Sequence, residues 1–199
     1  MNVERMSGDL ERLTHPKKVY SRSEVFAQDG SVLKVPGAYS WFFKEIPPDV
    51  PTTYCIKHDE LLLLYIGISP KRPPRSGQVS SQTLWSRIRE HFTGNAYGST
   101  LRLSLGCLLS RQLGIRLRRV GAGGRMTFTR EGEETLSRWM EQNAFVAWVR
   151  NTKPWEIEAL ALTTISLPLN LRGNERHPFH LALSAIRAGA RRNAIQPRQ

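Results

Sequence analysis

Cysteine is almost missing from this chain. Cys55 and Cys107 are the two it has in 199 residues, far apart and with no CxxC pair. That excludes a disulfide framework and makes a reduced, cytoplasmic setting the expectation. Long apolar runs are missing too. The longest, residues 61–68, is far short of the roughly 20 residues that cross a bilayer, so no membrane span is expected. The N-terminal stretch is charged and lacks an apolar segment, so no secretory leader is expected either. Acidic side chains are the third shortage: 17 Asp and Glu stand against 29 Lys and Arg, a net charge of +12 and a pI near 10.4. Such an excess favours a polyanionic partner, most often nucleic acid; the plainer alternative is a merely basic soluble protein. No zinc finger, helix-turn-helix or internal repeat is evident. The apolar fraction of 40% is that of a soluble protein, and the length suits one domain with a full core.

What is present reads as mixed strands and helices. Residues 1–34 are polar and form an N-terminal extension, with short helices expected over 1–13 and 23–27, the second capped by Ser23. A first strand is predicted over 37–46 and a second over 60–68, joined across Pro47-Pro48-Asp49-Val50-Pro51, a loop because proline cannot continue a ladder. They pair as an antiparallel hairpin, with Tyr39, Trp41 and Phe43 on one side of the first strand and Leu61, Leu63 and Tyr65 on one side of the second. Residues 69–82 are a basic loop by composition. A helix follows from Thr83 to about Thr93, then a break at 94–99 and a buried helix over 100–113 with Ser99 as cap. Residues 115–129 alternate around Gly121-Ala122-Gly123-Gly124, the signature of a hairpin. Further elements are a helix over 131–143, a strand over 145–149, a helix from Pro154 to about Ser166 and a last helix over 178–191 before a basic tail. Without regular strand–helix alternation the class is α+β, with a small antiparallel sheet of about three strands flanked by helices.

Several side chains are candidates for chemistry. Arg87 and His91 lie four apart and share a helix face. A guanidinium fork suits phosphate oxygens and keeps its charge at any working pH, while His titrates near neutrality; a solvated basic face is the bland reading of the pair. Arg89 points elsewhere, about 200° round the helix, and reads as a backbone-binding or surface residue. Glu158 sits in an otherwise apolar run, Ile157-Glu158-Ala159-Leu160-Ala161-Leu162, where a carboxylate needs a paired arginine or a cation. Lys71, Arg72 and Arg75 make the 69–82 loop either a phosphate-contacting flap or a solvated linker. Asn170, in Pro168-Leu169-Asn170, is on its own a turn residue. Asn174 reads as local structure and His177 as a cap; with His180 they are weak evidence for zinc.

Taken together, Gly37-Ala38-Tyr39, Tyr65-Ile66-Gly67, the Arg87 helix and Glu158 followed by Asn170 resemble the GIY-YIG nuclease superfamily over roughly residues 35–171. The resemblance implies a small antiparallel sheet flanked by helices and a phosphodiester-cleaving endonuclease acting on DNA, with RNA left open. It implies that Tyr39 and Tyr65 line the active site and help activate water, with His91 near the nucleophile. Arg87 then holds the scissile phosphate, Glu158 is the single protein ligand of Mg²⁺ or Mn²⁺, and Asn170 supports the site. Against the family pattern, Ala38 replaces an Ile and Ile68 a common Lys, a segment of about 94–143 is inserted, and residues 172–199 form a helical, basic C-terminal extension. The change at Ile68 makes a nucleic-acid-binding protein that keeps the fold with little or no activity the alternative.

Overall fold

The sheet expected to have about three strands has four, antiparallel throughout, in the spatial order β2 (Lys57–His58), β3 (Leu61–Ser69), β1 (Gly37–Phe43) and β6 (Ala144–Arg150). The computed structural model describes residues 3–75, 77–78, 80–121 and 124–195. The middle of the Gly121–Gly124 turn and the end of the basic tail lie outside them. The added strand is β2, two residues inside the loop that joins β1 to β3. A strand that short has no alternation to read.

Every residue of β1 is buried, because β3 and β6 flank it and helices cover both its faces. On one face Tyr39, Trp41 and Phe43 join the main core with helix α3 (Leu84–Thr93), α4 (Thr100–Leu108) and α6 (Arg130–Asn143). On the other, Phe42 packs with Leu63, Ile66 and Ala161 of helix α7 (Pro154–Thr164). The expectation that Leu61, Leu63 and Tyr65 share a side does not hold. The β1–β3 register shifts between Trp41 and Phe42, so that Trp41 faces Tyr65 while Phe42 faces Leu63. This bulge reverses the alternation along β3. Leu64 and Tyr65 both join the cluster of Tyr39, and Leu63 turns to the opposite face.

Two glycines permit close approach. At Gly67, which pairs with Tyr39, a Cβ would run into the Tyr39 phenol. At Gly37 it would strike the Val149 carbonyl and Leu84.

The N-terminal helices pack on this sheet. Helix α1 (Val3–Thr14) buries Leu13 beside Ile68 and Ile157. Its Asp9, 1% exposed, is bonded to Arg12 and accepts from Asn151 Nδ2 at 2.7 Å. Asn151 Oδ1 in turn accepts from Lys153 N at 2.7 Å, at the start of α7. Helix α2 spans Arg22–Ala27 and its cap is Ser21 rather than Ser23; Glu24 three residues on completes the capping box only from Ser21. A 3₁₀ turn, Gly30–Leu33, leads into β1. The helix expected over 100–113 is divided into α4 and a single turn, α5 (Ser110–Leu113), which Gly114 ends in the left-handed region at φ 64°. Strands β4 (Leu117–Val120) and β5 (Arg125–Phe128) form a separate hairpin. The last helix, α8, is His180–Ile195. His177 Nδ1 accepts from Phe179 N at 3.1 Å just before it, and Asn174 Nδ2 donates to Leu167 O and Asn170 O.

Candidate active site

The bulge in β3 and the glycine at 67 put the two phenols on one side of the sheet. Tyr39 and Tyr65 both open onto a cleft of about 730 Å³, which Arg87 and Glu158 also line. Residues far apart in sequence thus meet across one space. Helix α3 delivers Arg87, half-buried, from one wall, where its Nη1 donates to Gly98 O at 2.8 Å. Helix α7 delivers Glu158 from another.

His91 is placed differently. It does not line the cleft but lies fully buried behind Tyr39. Its Nε2 is 2.8 Å from the Tyr39 hydroxyl and its Nδ1 2.7 Å from Ser99 Oγ. Trp41 meets the imidazole edge-on at 5.7 Å. Burial, followed by the charges of Arg87 and Arg102, holds the His91 pKa well below the usual imidazole range. The ring is therefore neutral at pH 7.

A nearby cation lowers a phenol's pKa. Arg87 does act in that direction on both phenols, but burial outweighs it. Tyr39 is pushed well above the ordinary phenol value by burial and then by Tyr65, and Tyr65 is raised by burial against the pull of Arg87.

Glu158 is half-buried, and among the described residues no cation stands within ion-pair distance of it. Burial raises its pKa, with Arg172 and Lys71 opposing. The structural ion pair that sequence alone allowed is thus not formed. No group of three or more His, Cys, Asp or Glu gathers at metal-binding spacing among the described residues. A lone carboxylate facing a wide cleft suits a hard divalent ion that keeps most of its water. The residues present fit such an ion, with Glu158 as the holder.

Asn170 bonds to the backbone of β3. Its Oδ1 accepts from Ile66 N at 3.0 Å and its Nδ2 donates to Ile66 O at 2.7 Å. Leu169 N donates to Leu64 O at 3.1 Å. Strand β2 pairs with Leu61 and Leu62, and beyond it this amide takes the place of a neighbouring strand at Ile66. A buried backbone edge needs such partners.

Of the loop cations, Lys71 and Arg72 line the cleft, whereas Arg75 does not; Arg89, on the far face of α3, is exposed and also outside it. Ile68, where the resemblance anticipates a lysine, is part of the wall. Sequence reasoning passed over Arg172, Arg187, Thr100 and Trp155, which line the cleft as well. Arg187 comes from α8, half-buried, with Nη1 3.4 Å from Ser104 Oγ. Arg172 had a signal, standing two positions past Asn170. Arg187 had none, because only the docking of α8 on α4 brings it in. Among the described residues, five cationic side chains and one carboxylate therefore face this space.

A family model for the GIY-YIG catalytic domain matches residues 37–189. Comparison with curated proteins and comparison with solved structures each found no match. Among the described residues no helix is long and apolar enough to cross a membrane.

Proposed function

This chain belongs to the GIY-YIG catalytic-domain family, a family of nucleases, and on that premise we propose that it is a metal-dependent endonuclease hydrolysing phosphodiester bonds in DNA. The observation that carries the reading is the convergence of two phenols, a guanidinium and a carboxylate on one cation-lined cleft.

In this reading Arg87 grips the scissile phosphate and faces the charge that builds on its oxygens. The Gly98 carbonyl holds the guanidinium in place at 2.8 Å. Tyr39 relays a proton from the attacking water, taking it as its own O–H proton passes into the cleft, and Tyr65 beside it shapes the same pocket. His91, behind Tyr39, orients that phenol. Glu158 is the ligand for Mg²⁺ or Mn²⁺, which when bound supplies Lewis acidity and steadies the leaving oxygen. Asn170 keeps β3, and with it Tyr65, in register. Lys71, Arg72, Arg172 and Arg187 lie along the cleft where a phosphate backbone would run; Arg75 and Arg89 serve only at its margins.

Purified protein incubated with plasmid and Mg²⁺ or Mn²⁺ is expected to nick or cut it, and chelator is expected to abolish this. Ile68 in the cleft wall favours a second reading, a DNA-binding protein with the same fold and negligible cleavage. Metal-independent binding with no chelator-sensitive cleavage of duplex, branched or single-stranded substrates, DNA or RNA, would establish it.

A further inference from the structure

Hydrogen-bond accounting behind Tyr39 fixes more than the position of His91. Ser99 and His91 are both fully buried, so no solvent serves either. Among the described residues Ser99 Oγ has two partners: Arg102 N at 3.1 Å and His91 Nδ1 at 2.7 Å. A hydroxyl holds one proton and two lone pairs. The Arg102 N–H is a donor, the N-cap bond of helix α4, so it occupies a lone pair. The Ser99 proton then has one acceptor within reach, His91 Nδ1. In the opposite arrangement, with a proton on Nδ1, Ser99 Oγ receives two donors and its own O–H is left buried without an acceptor, a state folded proteins avoid.

We infer that Ser99 is a positioning residue that holds His91 as the neutral Nε2–H tautomer, so that His91 donates a hydrogen bond to the Tyr39 oxygen instead of accepting the Tyr39 proton. The consequence reaches the cleft. With an N–H directed at its oxygen, Tyr39 must aim its own O–H elsewhere, toward Tyr65 and the cleft. Burial keeps this phenol protonated, so as the water attacks, the Tyr39 oxygen takes the water's proton and passes its own O–H proton to cleft solvent in the same step. The His91 N–H and the nearby Arg87 charge steady that oxygen while the protons exchange. His91 changes no protonation state in the sequence. The same serine that starts α4 thereby orients the imidazole on α3 and, through it, the phenol on β1. Its catalytic meaning rests on the endonuclease reading; the tautomer itself does not.

The test reads the two separately. In the full chain labelled with ¹⁵N-histidine, His91 signals are assigned by their loss in His91→Gln. Nitrogen shifts are expected to show Nε2 protonated and Nδ1 bare at neutral pH; a protonated Nδ1, or an even mixture, would overturn the inference. Ser99→Ala is expected to let the second tautomer appear and to lower kcat for cleavage about threefold to tenfold, as for one hydrogen bond lost, with KM unchanged. Ser99→Thr, which keeps both cap and hydroxyl, is expected to restore both readings. An unchanged tautomer in Ser99→Ala would also refute it. Should that variant fail to fold, the signals of the unaltered chain decide alone, and they do so even if no cleavage is detected.

Discussion

The two walls of the cleft are built on opposite plans. On the α3 side the groups of the site are linked in sequence: Tyr39 with His91, His91 with Ser99, Arg87 with Gly98. On the α7 side Glu158 stands half-buried with no direct partner among the described residues, only the more distant charges of Arg172 and Lys71. The engaged wall is set before any substrate arrives. The open wall has spare electrostatic capacity that a cation would fill. In the proposed endonuclease reading, that carboxylate is where the divalent ion binds.

The largest effect should come from the open wall. Glu158→Gln is expected to lower magnesium-dependent cleavage about 10³-fold, several kcal/mol of lost charge stabilisation, while leaving DNA affinity and the melting temperature almost unchanged. Parental activity in that variant would break the contrast between the walls. On the engaged wall, Arg87→Lys keeps the charge but loses the fork, and is expected to cost about 10²-fold in kcat/KM. Next in size is Asn170→Ala, which strips Ile66 of both partners. Urea unfolding is expected to show a loss of about 2–3 kcal/mol.

A smaller effect follows from His91. Its folded-state pKa is depressed, so the unfolded chain binds the extra proton as pH drops below the ordinary imidazole value. Stability is then complete above roughly pH 6.5 and declines as pH falls toward the depressed value. Between pH 7 and 5 the decline is about 1–2 kcal/mol, and His91→Gln is expected to flatten it. Smallest are the peripheral cations: Arg172→Ala is expected to reduce the salt slope of DNA binding by about one phosphate contact, and Arg75→Ala by almost nothing.

Much of this was legible in the chain, and the gaps have physical causes. The strands bearing Tyr39 and Tyr65, the helix bearing Arg87 and the acid at 158 announce themselves through local periodicity and through one carboxylate in an apolar run. The bulge at Trp41 does not, because register belongs to the pair of strands and neither shows it alone. Ser99 was readable as a helix cap, but its second bond, to His91, depends on how α4 docks against α3. Arg187 was invisible for the same reason, and Asn170 looked like a turn residue because the strand edge it completes lies 104 positions away.

Arg102 carries the last lesson. Its guanidinium is entirely enclosed. It donates to the carbonyls of His91 and Phe92 at the end of α3, and to Glu133 on α6 at 2.7 Å. Glu133 also accepts from Ala96 N and Phe128 N. A sealed ion of this kind tolerates the removal of neither half, since each would strand the other. Residues 94–143 are therefore the pedestal under α3, and a trimmed protein of sheet plus α7 would let that helix drift. The smallest fragment able to stand on its own must keep this middle stretch, however dispensable its length makes it look.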